Sequence, residues 1–348
     1  MNILLFIYPF LLSFIIALAV TPLVIKLAYK YRFVDDPKTH KHPAVIHKKP
    51  IPRAGGLPIF IAILVSSIFF LSASFQLQII LFCALLVVLV GLLDDRFDLS
   101  PYLRFTTNII IAAIVVFSGI TVPFVTNPLG GILHFTAPQL INFYIPQILG
   151  IIWIVWVMNM LNWSKGVDGQ MPGIAAISAI VIGVASLRFP VLGEANIISS
   201  QLSFIVAGAS VGFLIYNFYP AKIFPGYSAT VLGFFIGILS ILSSVKLATA
   251  ILVMGVPTVD AVFTVLRRIL SKRSPFWHDK GHLHHLLLGL GLGQRSIAIF
   301  YWIMSCILGV IALSVSSKGK LFAIILLVVL VGGVILTLKY LGKKGKSF

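Results

Sequence analysis

The sequence predicts an all-α, polytopic membrane protein that forms a single domain over residues 1–348. Hydrophobic residues make up 59% of the chain and charged residues 10%, and the mean hydropathy is +1.08. A soluble fold of this length could not bury so much apolar surface. The apolar residues also fall into eleven stretches long enough to cross a bilayer as helices. These stretches are residues 3–25, 56–74, 77–95, 105–122, 146–163, 171–187, 199–218, 228–245, 247–266, 296–315 and 320–338.

The distribution of Lys and Arg predicts the orientation of these helices. Loops on one side carry 22 of the 26 basic residues, and loops on the other side carry four. Because cytoplasmic loops are enriched in Lys and Arg, we expect the N-terminus outside and the C-terminus in the cytoplasm. The same asymmetry accounts for the net charge of +17 without a nucleic-acid partner. The polar residues concentrate in the inward loops rather than at the bilayer midplane, which argues against a transporter.

The first inward loop, residues 35–56, is rich in Pro, His and Lys. Its side chains Lys48, Lys49 and Arg53 suit phosphate groups at the membrane surface. The alternative is a basic anchor that binds anionic lipid head groups.

The second inward loop follows an abrupt end to an apolar stretch, in the sequence GLLDDRFDLSPYLR at residues 91–104. Asp94, Asp95 and Asp98 are three of the nine acidic residues in the whole chain. On a helix, Asp94 and Asp98 share a face and Asp95 flanks it. Because a carboxylate is costly at the bilayer centre, we expect this cluster at the membrane surface. It is either a hydrated helix cap or a site of chemistry, and Arg104 follows it.

The third and fourth inward loops carry turn-forming residues beside polar and aromatic ones. In NMLNWSKGVDGQMPG, residues 159–173, Gly166 and Gly169 flank Asp168 and would let the backbone approach a ligand. In NFYPAKIFPGYSAT, residues 217–230, Phe224 precedes a Pro-Gly turn and either stacks on a base or only packs.

The fifth inward loop, residues 267–296, brings three imidazoles, His282, His284 and His285, into basic surroundings. A zinc site is one reading, but no Cys and no acidic residue other than Asp279 has zinc-site spacing. Hydrogen bonding to a diphosphate fits the basic surroundings better. In the preceding apolar helix, Asp260 is expected to be a buried partner of Arg267 or of a neighbouring helix.

Taken in order, five loop sequences resemble those of the polyprenyl-phosphate N-acetylhexosamine-1-phosphate transferases. They are PIPRAGG, GLLDDRFDLSPYLR, NMLNxxxGVDG, NFYPAKIFPG and DKGHLHH. The resemblance extends over almost the whole chain. The HxHH form and the eleven stretches look more like the GlcNAc-type branch than like the related phospho-MurNAc-pentapeptide translocase.

The resemblance implies a reaction and a setting. The expected enzyme transfers GlcNAc-1-phosphate, or another N-acetylhexosamine-1-phosphate, from a UDP-sugar to undecaprenyl phosphate and releases UMP. This step initiates a cell-envelope glycopolymer such as lipopolysaccharide or teichoic acid. The resemblance further implies a multi-pass protein of the bacterial cytoplasmic membrane, an active site on the cytoplasmic side, a Mg²⁺ cofactor and a homodimer.

The resemblance also implies roles for individual side chains. The resemblance implies that Asp94, Asp95 and Asp168 are catalytic, and Lys165 is added to them because of its positive charge, as described below. The expected nucleotide-sugar ligands are Asn162, Asn217, Phe224, His282, His284 and His285. Phosphate binding is expected from Lys48, Arg53 and Arg104, and metal binding from Asp94 and Asp95.

Two positions depart from the family pattern. The family usually has Asp at the position of Lys165, and a Mg²⁺-binding Asp at the position of Tyr227. Two negative charges are therefore lost and one positive charge is gained. One hypothesis is that Lys165 takes over part of the metal's role and weakens the Mg²⁺ requirement. The alternative is that Lys165 pairs with Asp168 or Asp94, and that the protein binds UDP-sugar or polyprenyl phosphate without turnover.

Overall fold

The computed structural model describes residues 3–38, 49–122, 124–127, 131–134, 140–188, 194–243, 247–277 and 279–344. Thirteen helices occur within these residues: α1 Leu4–Lys30, α2 Gly56–Phe70, α3 Phe75–Phe97, α4 Pro101–Phe117, α5 Leu140–Trp163, α6 Gln170–Ser186, α7 Glu194–Asn217, α8 Thr230–Leu242, α9 Leu247–Val253, α10 Gly255–Leu270, α11 Leu283–Gly289, α12 Gln294–Ser314 and α13 Ser317–Lys344. Two short antiparallel hairpins join β1 Val34–Asp35 to β2 Ile51–Pro52 and β3 Phe124–Thr126 to β4 Ile132–His134.

The prediction of a helical membrane protein is confirmed at the level of its class. Each of the eleven apolar stretches coincides with helix. Six helices in the described residues, α1, α3, α5, α7, α12 and α13, are long and apolar enough to cross a membrane. The apolar helices α2, α4, α6 and α8 are shorter than the roughly 20 residues that a span needs. Eleven spans, the orientation of the chain and its single domain therefore stay predictions.

One predicted span is broken. The stretch 247–266 forms two helices, α9 and α10, which meet at an angle of 87° and count as a seventh span if taken together. Met254 lies between them, and Pro257 lies in the first turn of α10. Pro has no N–H for an intrahelical hydrogen bond and is tolerated best in a first turn, which favours a new helix start here.

The core of the molecule is built around α8. All its residues from Thr230 to Ser240 are buried, and the helix packs against α3, α5, α6 and α7. A helix that is apolar on every face belongs in an interior. Gly233 makes the packing against α5 close, because a Cβ there would lie 2.6 Å from Cα of Met158.

The polar loops meet at one end of this bundle. The C-terminal ends of α3, α5, α7 and α10 and the N-terminal end of α4 all surround a single cavity. Asp98 adopts a left-handed conformation with φ of 51° and is the C-cap of α3. The prediction that Asp98 shares a helix face with Asp94 is therefore wrong, because the helix ends one residue earlier.

Candidate active site

A cavity of about 480 Å³ lies where the five inward loops meet. Its size is within the range of about 300 to 1,000 Å³ that small-molecule sites occupy. The structure brings together the predicted site residues that it describes, namely Arg53, Asp94, Asp95, Arg104, Asn162, Lys165, Asp168, Asn217, Phe224, His282, His284 and His285. Lys48 lies outside the described residues.

Asp95 uses its carboxylate to hold the fourth loop. Its Oδ1 accepts the N–H of Tyr227 at 2.7 Å, and its Oδ2 accepts the N–H of Ser228 at 3.3 Å. Gly226 makes this approach possible, since it has a φ of 66° and a Cβ there would collide with the Asp95 carboxylate. Asp95 is thus committed to the turn before α8.

Asp94 differs from its neighbour because one of its oxygens is available. Its Oδ2 accepts a hydrogen bond from Arg104 at 3.1 Å. Its Oδ1 is buried and has no hydrogen-bond partner among the residues that the structure describes. Leaving a buried polar atom unpaired is costly, so this oxygen is suited to a ligand or a cation.

Lys165 directs its ammonium into the same part of the cavity. Its Nζ donates to the carbonyl oxygen of Gly226 at 3.1 Å. Burial lowers the pKa of Lys165 to about 8, against the opposing charges of Asp95 and Asp94. The side chain is therefore still mostly protonated at neutral pH. Asp94 pairs with Arg104, so the predicted alternative of a Lys165–Asp94 pair is not what holds that carboxylate.

Tyr227 places a neutral ring between two cations. Its hydroxyl accepts a hydrogen bond from Asn108 Nδ2 at 3.0 Å, and burial raises its pKa to about 12. The Arg104 guanidinium lies 5.0 Å from the ring centroid, and the Lys165 ammonium lies 5.8 Å from it. Both distances are within reach of a cation–π interaction.

The third and fourth loops are joined by two predicted site residues, Asn217, predicted as a nucleotide-sugar ligand, and Asp168, predicted as catalytic. Asn217 Oδ1 accepts the N–H of Gly169 at 3.0 Å, and its Nδ2 donates to the carbonyl of Ile223 at 2.8 Å. Asp168 Oδ2 accepts the N–H of Ala221 at 3.0 Å. Both ends of the Asn217 amide are therefore used within the protein, and its contribution to the cavity is to set the loop positions.

Asn162, Phe224 and Arg53 form another part of the cavity wall. Asn162 Oδ1 is buried without a hydrogen-bond partner in the described part of the chain. The backbone N–H of Phe224 donates to the carbonyl of Pro52 at 2.7 Å, which joins the fourth loop to the first. Arg53 pairs with Asp35 at 2.7 Å.

The histidines form a further part of the cavity wall, where Asp260 contacts the first of them. Asp260 Oδ2 lies 2.9 Å from His282 Nδ1, and its Oδ1 accepts the N–H of Leu283 at 2.8 Å. Asp260 is therefore the buried partner of a neighbouring helix, α11, as one of the two predicted alternatives had it. Arg267, the other predicted partner, instead pairs with Asp279 at 2.8 Å. An acidic residue inside an apolar helix was the only sequence signal for this contact.

His284 and His285 are neutral at physiological pH. Burial, and then the neighbouring imidazoles, lower the pKa of His284 well below its usual value. Burial followed by the charges of His282 and Lys280 lowers the pKa of His285 to about 4. Gly166 leaves room for His284, because a Cβ at Gly166 would overlap the imidazole. Within the described ranges, no group of three or more His, Cys, Asp or Glu is arranged to hold a metal ion.

Asp279 and Arg268 were not predicted as site residues, yet both line the cavity. Burial opposes the ionisation of Asp279, but hydrogen bonds from the Gly281 N–H, Arg267 and Arg268 outweigh it and lower the pKa to about 2. Asn108 was also missed. Its short polar side chain lies in an apolar helix and bonds to a tyrosine more than a hundred residues away, a pairing that sequence alone does not reveal.

Comparisons with known proteins match the chain to one family. The model of "Glycosyl transferase family 4" matches residues 77–244. A probable undecaprenyl-phosphate N-acetylglucosaminyl 1-phosphate transferase of Bacillus subtilis is 31% identical over 334 residues, which covers 92% of this chain and 88% of the relative. An undecaprenyl-phosphate alpha-N-acetylglucosaminyl 1-phosphate transferase of Thermotoga maritima is 28% identical, covering 88% and 97%. A phospho-N-acetylmuramoyl-pentapeptide-transferase of Staphylococcus epidermidis is 28% identical, covering 88% and 98%.

Proposed function

This chain belongs to glycosyl transferase family 4, the family of the polyprenyl-phosphate N-acetylhexosamine-1-phosphate transferases, and we propose that it loads GlcNAc-1-phosphate from UDP-GlcNAc onto undecaprenyl phosphate. The chain is a membrane-embedded transferase. In the proposed reaction, an oxygen of the lipid phosphate attacks the β-phosphorus of the UDP-sugar, and the bond from that phosphorus to the bridging oxygen breaks. UMP leaves with the bridging oxygen.

The observation that carries this proposal is the convergence of four basic side chains, Arg53, Arg104, Lys165 and Arg268, with six aspartates and the three histidines around one cavity. Two polyanions must be held together in such a reaction, so neutralising charge is the main requirement. A phosphate monoester has a second pKa near 6 and is already mostly dianionic at neutral pH. A general base is therefore the lesser need.

The cationic, amide and aromatic side chains that line the cavity receive the roles in contact with substrate. Lys165 and Arg104 neutralise the transferring phosphate, and Asn162 and Phe224 bind the nucleotide portion. The imidazoles of His282, His284 and His285 face the diphosphate. Asp95, Asp168 and Asn217 act by holding the loops in place, since their side chains already bond to backbone groups.

Mg²⁺ fits this site only in a displaced form. The family position for its ligand is Tyr227, a neutral phenol bonded to Asn108. Asp94 Oδ1 has no hydrogen-bond partner among the residues that the structure describes, and Mg²⁺ often binds through one or two carboxylates plus substrate phosphates. We propose that Asp94 would hold Mg²⁺ carried in by the substrate, where it would add positive charge. Lys165 supplies the rest, so the requirement for the metal is weak.

The proposed setting follows from the basic asymmetry of the loops. We propose eleven spans, with the N-terminus outside and the C-terminus in the cytoplasm of a bacterial cell. The cavity then opens at the cytoplasmic face of the inner membrane, where a UDP-sugar is available. The product would enter synthesis of a cell-envelope polymer such as lipopolysaccharide or teichoic acid, and the active unit would be a homodimer.

The two departures favour a second candidate, binding of UDP-sugar or polyprenyl phosphate without turnover. Lys165 and Tyr227 occupy positions where the family usually has carboxylates, and both lie in the cavity. Incubation of the purified protein with radiolabelled UDP-GlcNAc and undecaprenyl phosphate separates the candidates. Label in the organic phase is the expected result. Retention of labelled UDP-GlcNAc on the protein with no labelled lipid would indicate the binding protein instead.

A further inference from the structure

We propose that Asp260 is a positioning residue that fixes the tautomer of His282, so that this imidazole presents Nε2 to the phosphate groups in the cavity. The inference deepens the proposed function and rests on it. Of the three histidines, His282 is held by a carboxylate, whereas His284 and His285 are not.

The geometry gives Asp260 two neighbouring partners. One oxygen lies 2.9 Å from His282 Nδ1, and the other accepts the N–H of Leu283 at 2.8 Å. Asp260 and His282 are 6% and 7% exposed. Two short contacts from one buried carboxylate leave the beginning of α11 little freedom to rotate.

The carboxylate determines which ring nitrogen carries hydrogen. An ionised carboxylate only accepts hydrogen bonds, so Nδ1 of His282 must be the donor. Nε2 lies on the other edge of the ring, and His282 lines the cavity whereas Asp260 does not. Nε2 is therefore the atom that can exchange a hydrogen bond or a proton with a bound phosphate.

The other two imidazoles lack this arrangement. His284 is 2% exposed, and its Nδ1 has no hydrogen-bond partner among the described residues. The lowered pKa values of His284 and His285 keep both rings neutral. His284 stacks on His282 with ring centroids 5.4 Å apart and thereby confines the plane of the His282 ring.

A purely structural role for Asp260 is the competing explanation, and Asp260→Asn distinguishes the two. The Asn oxygen can still accept the N–H of Leu283, so the beginning of α11 keeps its hydrogen bond. The Asn amide, however, is a donor toward His282 Nδ1. The ring must then accept at Nδ1 and carry its hydrogen at Nε2, which reverses the tautomer.

The test uses the full-length protein labelled with ¹⁵N-histidine, with the His282 signals assigned through His282→Gln. In the wild type we expect Nδ1 of His282 to be protonated, and in Asp260→Asn we expect the hydrogen to move to Nε2. For transfer of sugar phosphate, kcat should fall about 100-fold, while KM for UDP-GlcNAc stays within about threefold because charge at the lysine and arginines is unchanged.

Thr264→Val is the matched control. Thr264 Oγ1 lies 3.4 Å from the same His282 Nδ1 and one helical turn from Asp260, so the variant perturbs the same environment but leaves the carboxylate. Its tautomer and kcat should remain those of the wild type. An unprotonated Nδ1 in the wild type would overturn the proposal, even if Asp260→Asn does not fold. A fall in kcat with no change of tautomer would also overturn it. A reversed tautomer in a protein that never transfers label would leave the positioning intact and reject the proposed function.

Discussion

Two buried carboxylates each use both oxygens, but for different purposes: Asp95 lines the cavity, and Asp260 lies outside that lining in contact with His282. Asp95 accepts two backbone N–H groups, from Tyr227 and Ser228. Asp260 accepts one backbone N–H and contacts one imidazole. The first carboxylate therefore fixes a loop, and the second fixes a loop and also a titratable ring. The part of the cavity around Asp94, Asp95 and Lys165 is a rigid arrangement of charges. The part formed by His282, His284 and His285 can exchange hydrogen with a substrate.

The largest expected effect comes from removing the positive charge of Lys165, which lies beside Asp94 and Asp95. Lys165→Met should lower kcat for sugar-phosphate transfer by about 100-fold to 1,000-fold, as the loss of one electrostatic contact to a transition state typically does. The thermal midpoint should not fall, because a buried ammonium is itself costly to the fold. Transfer kinetics and a thermal melt in detergent measure both. A variant with full activity would show that the Lys165 ammonium does not stabilise the transition state of transfer.

Asp95→Asn should produce a smaller loss of activity together with a loss of stability. The Asn side chain can accept only one of the two N–H groups, and the other is left unpaired at a cost of about 1 to 3 kcal/mol. Asp94→Asn is the comparison, since it leaves the turn before α8 untouched. If both variants melt at the same temperature, the assignment of Asp95 to the loop is wrong.

The pH dependence of binding sharpens the same comparison. Burial lowers the pKa of Lys165 to about 8, so the ammonium is present below that pH and is lost as the pH rises through it. The affinity for UDP-GlcNAc, measured by calorimetry, should fall several-fold from pH 7 to pH 9.

Unfolding does not explain such a fall. Between about pH 8 and the higher pKa of an exposed lysine, the unfolded chain binds more protons at Lys165, so the free energy of unfolding rises with pH. Lys165→Arg keeps its charge and should bind equally well at both pH values. A fall of the same size in Lys165→Arg would assign the effect to another group.

Tyr227→Phe should have the smallest effect. The ring and its contacts with the two cations are kept, and the lost hydroxyl was neutral, so transfer should change by less than about threefold. Asn108 Nδ2 loses its acceptor, and the thermal midpoint should fall by an amount that corresponds to about 1 kcal/mol. A large loss of activity at an unchanged midpoint would mean that the hydroxyl contacts substrate.

Periodicity and charge in the sequence predict much of the fold and the membership of the site. Apolar stretches become helices because a single segment in lipid can satisfy its backbone hydrogen bonds by itself only as a helix. Loops that follow every second membrane-spanning helix must lie at the same end of the bundle. The residues of the five loops could therefore be assigned to one site from the sequence alone. The break between α9 and α10 was missed, because Pro257 in a first turn reads in the sequence like part of one continuous helix.

The separate roles of neighbouring residues could not be predicted. Asp94 and Asp95 are chemically identical and adjacent, and only the tertiary structure turns one toward backbone amides and the other toward Arg104 and a free position. Asn217 has the residue type of a ligand, but its amide is fully used between two loops. The Asp260–His282 contact joins residues 22 positions apart across a turn, and no spacing rule anticipates it.

The most direct test of the account compares the Mg²⁺ dependence of the wild type with that of Lys165→Asp combined with Tyr227→Asp. Binding of UDP-GlcNAc and transfer of its sugar phosphate would be followed from excess EDTA to millimolar Mg²⁺. We expect the wild type to bind UDP-GlcNAc in EDTA and to gain little from Mg²⁺, whereas the double variant should depend strongly on the metal. A wild type that is inactive at every Mg²⁺ concentration, beside an active double variant, would contradict the claim that Lys165 supplies positive charge for transfer.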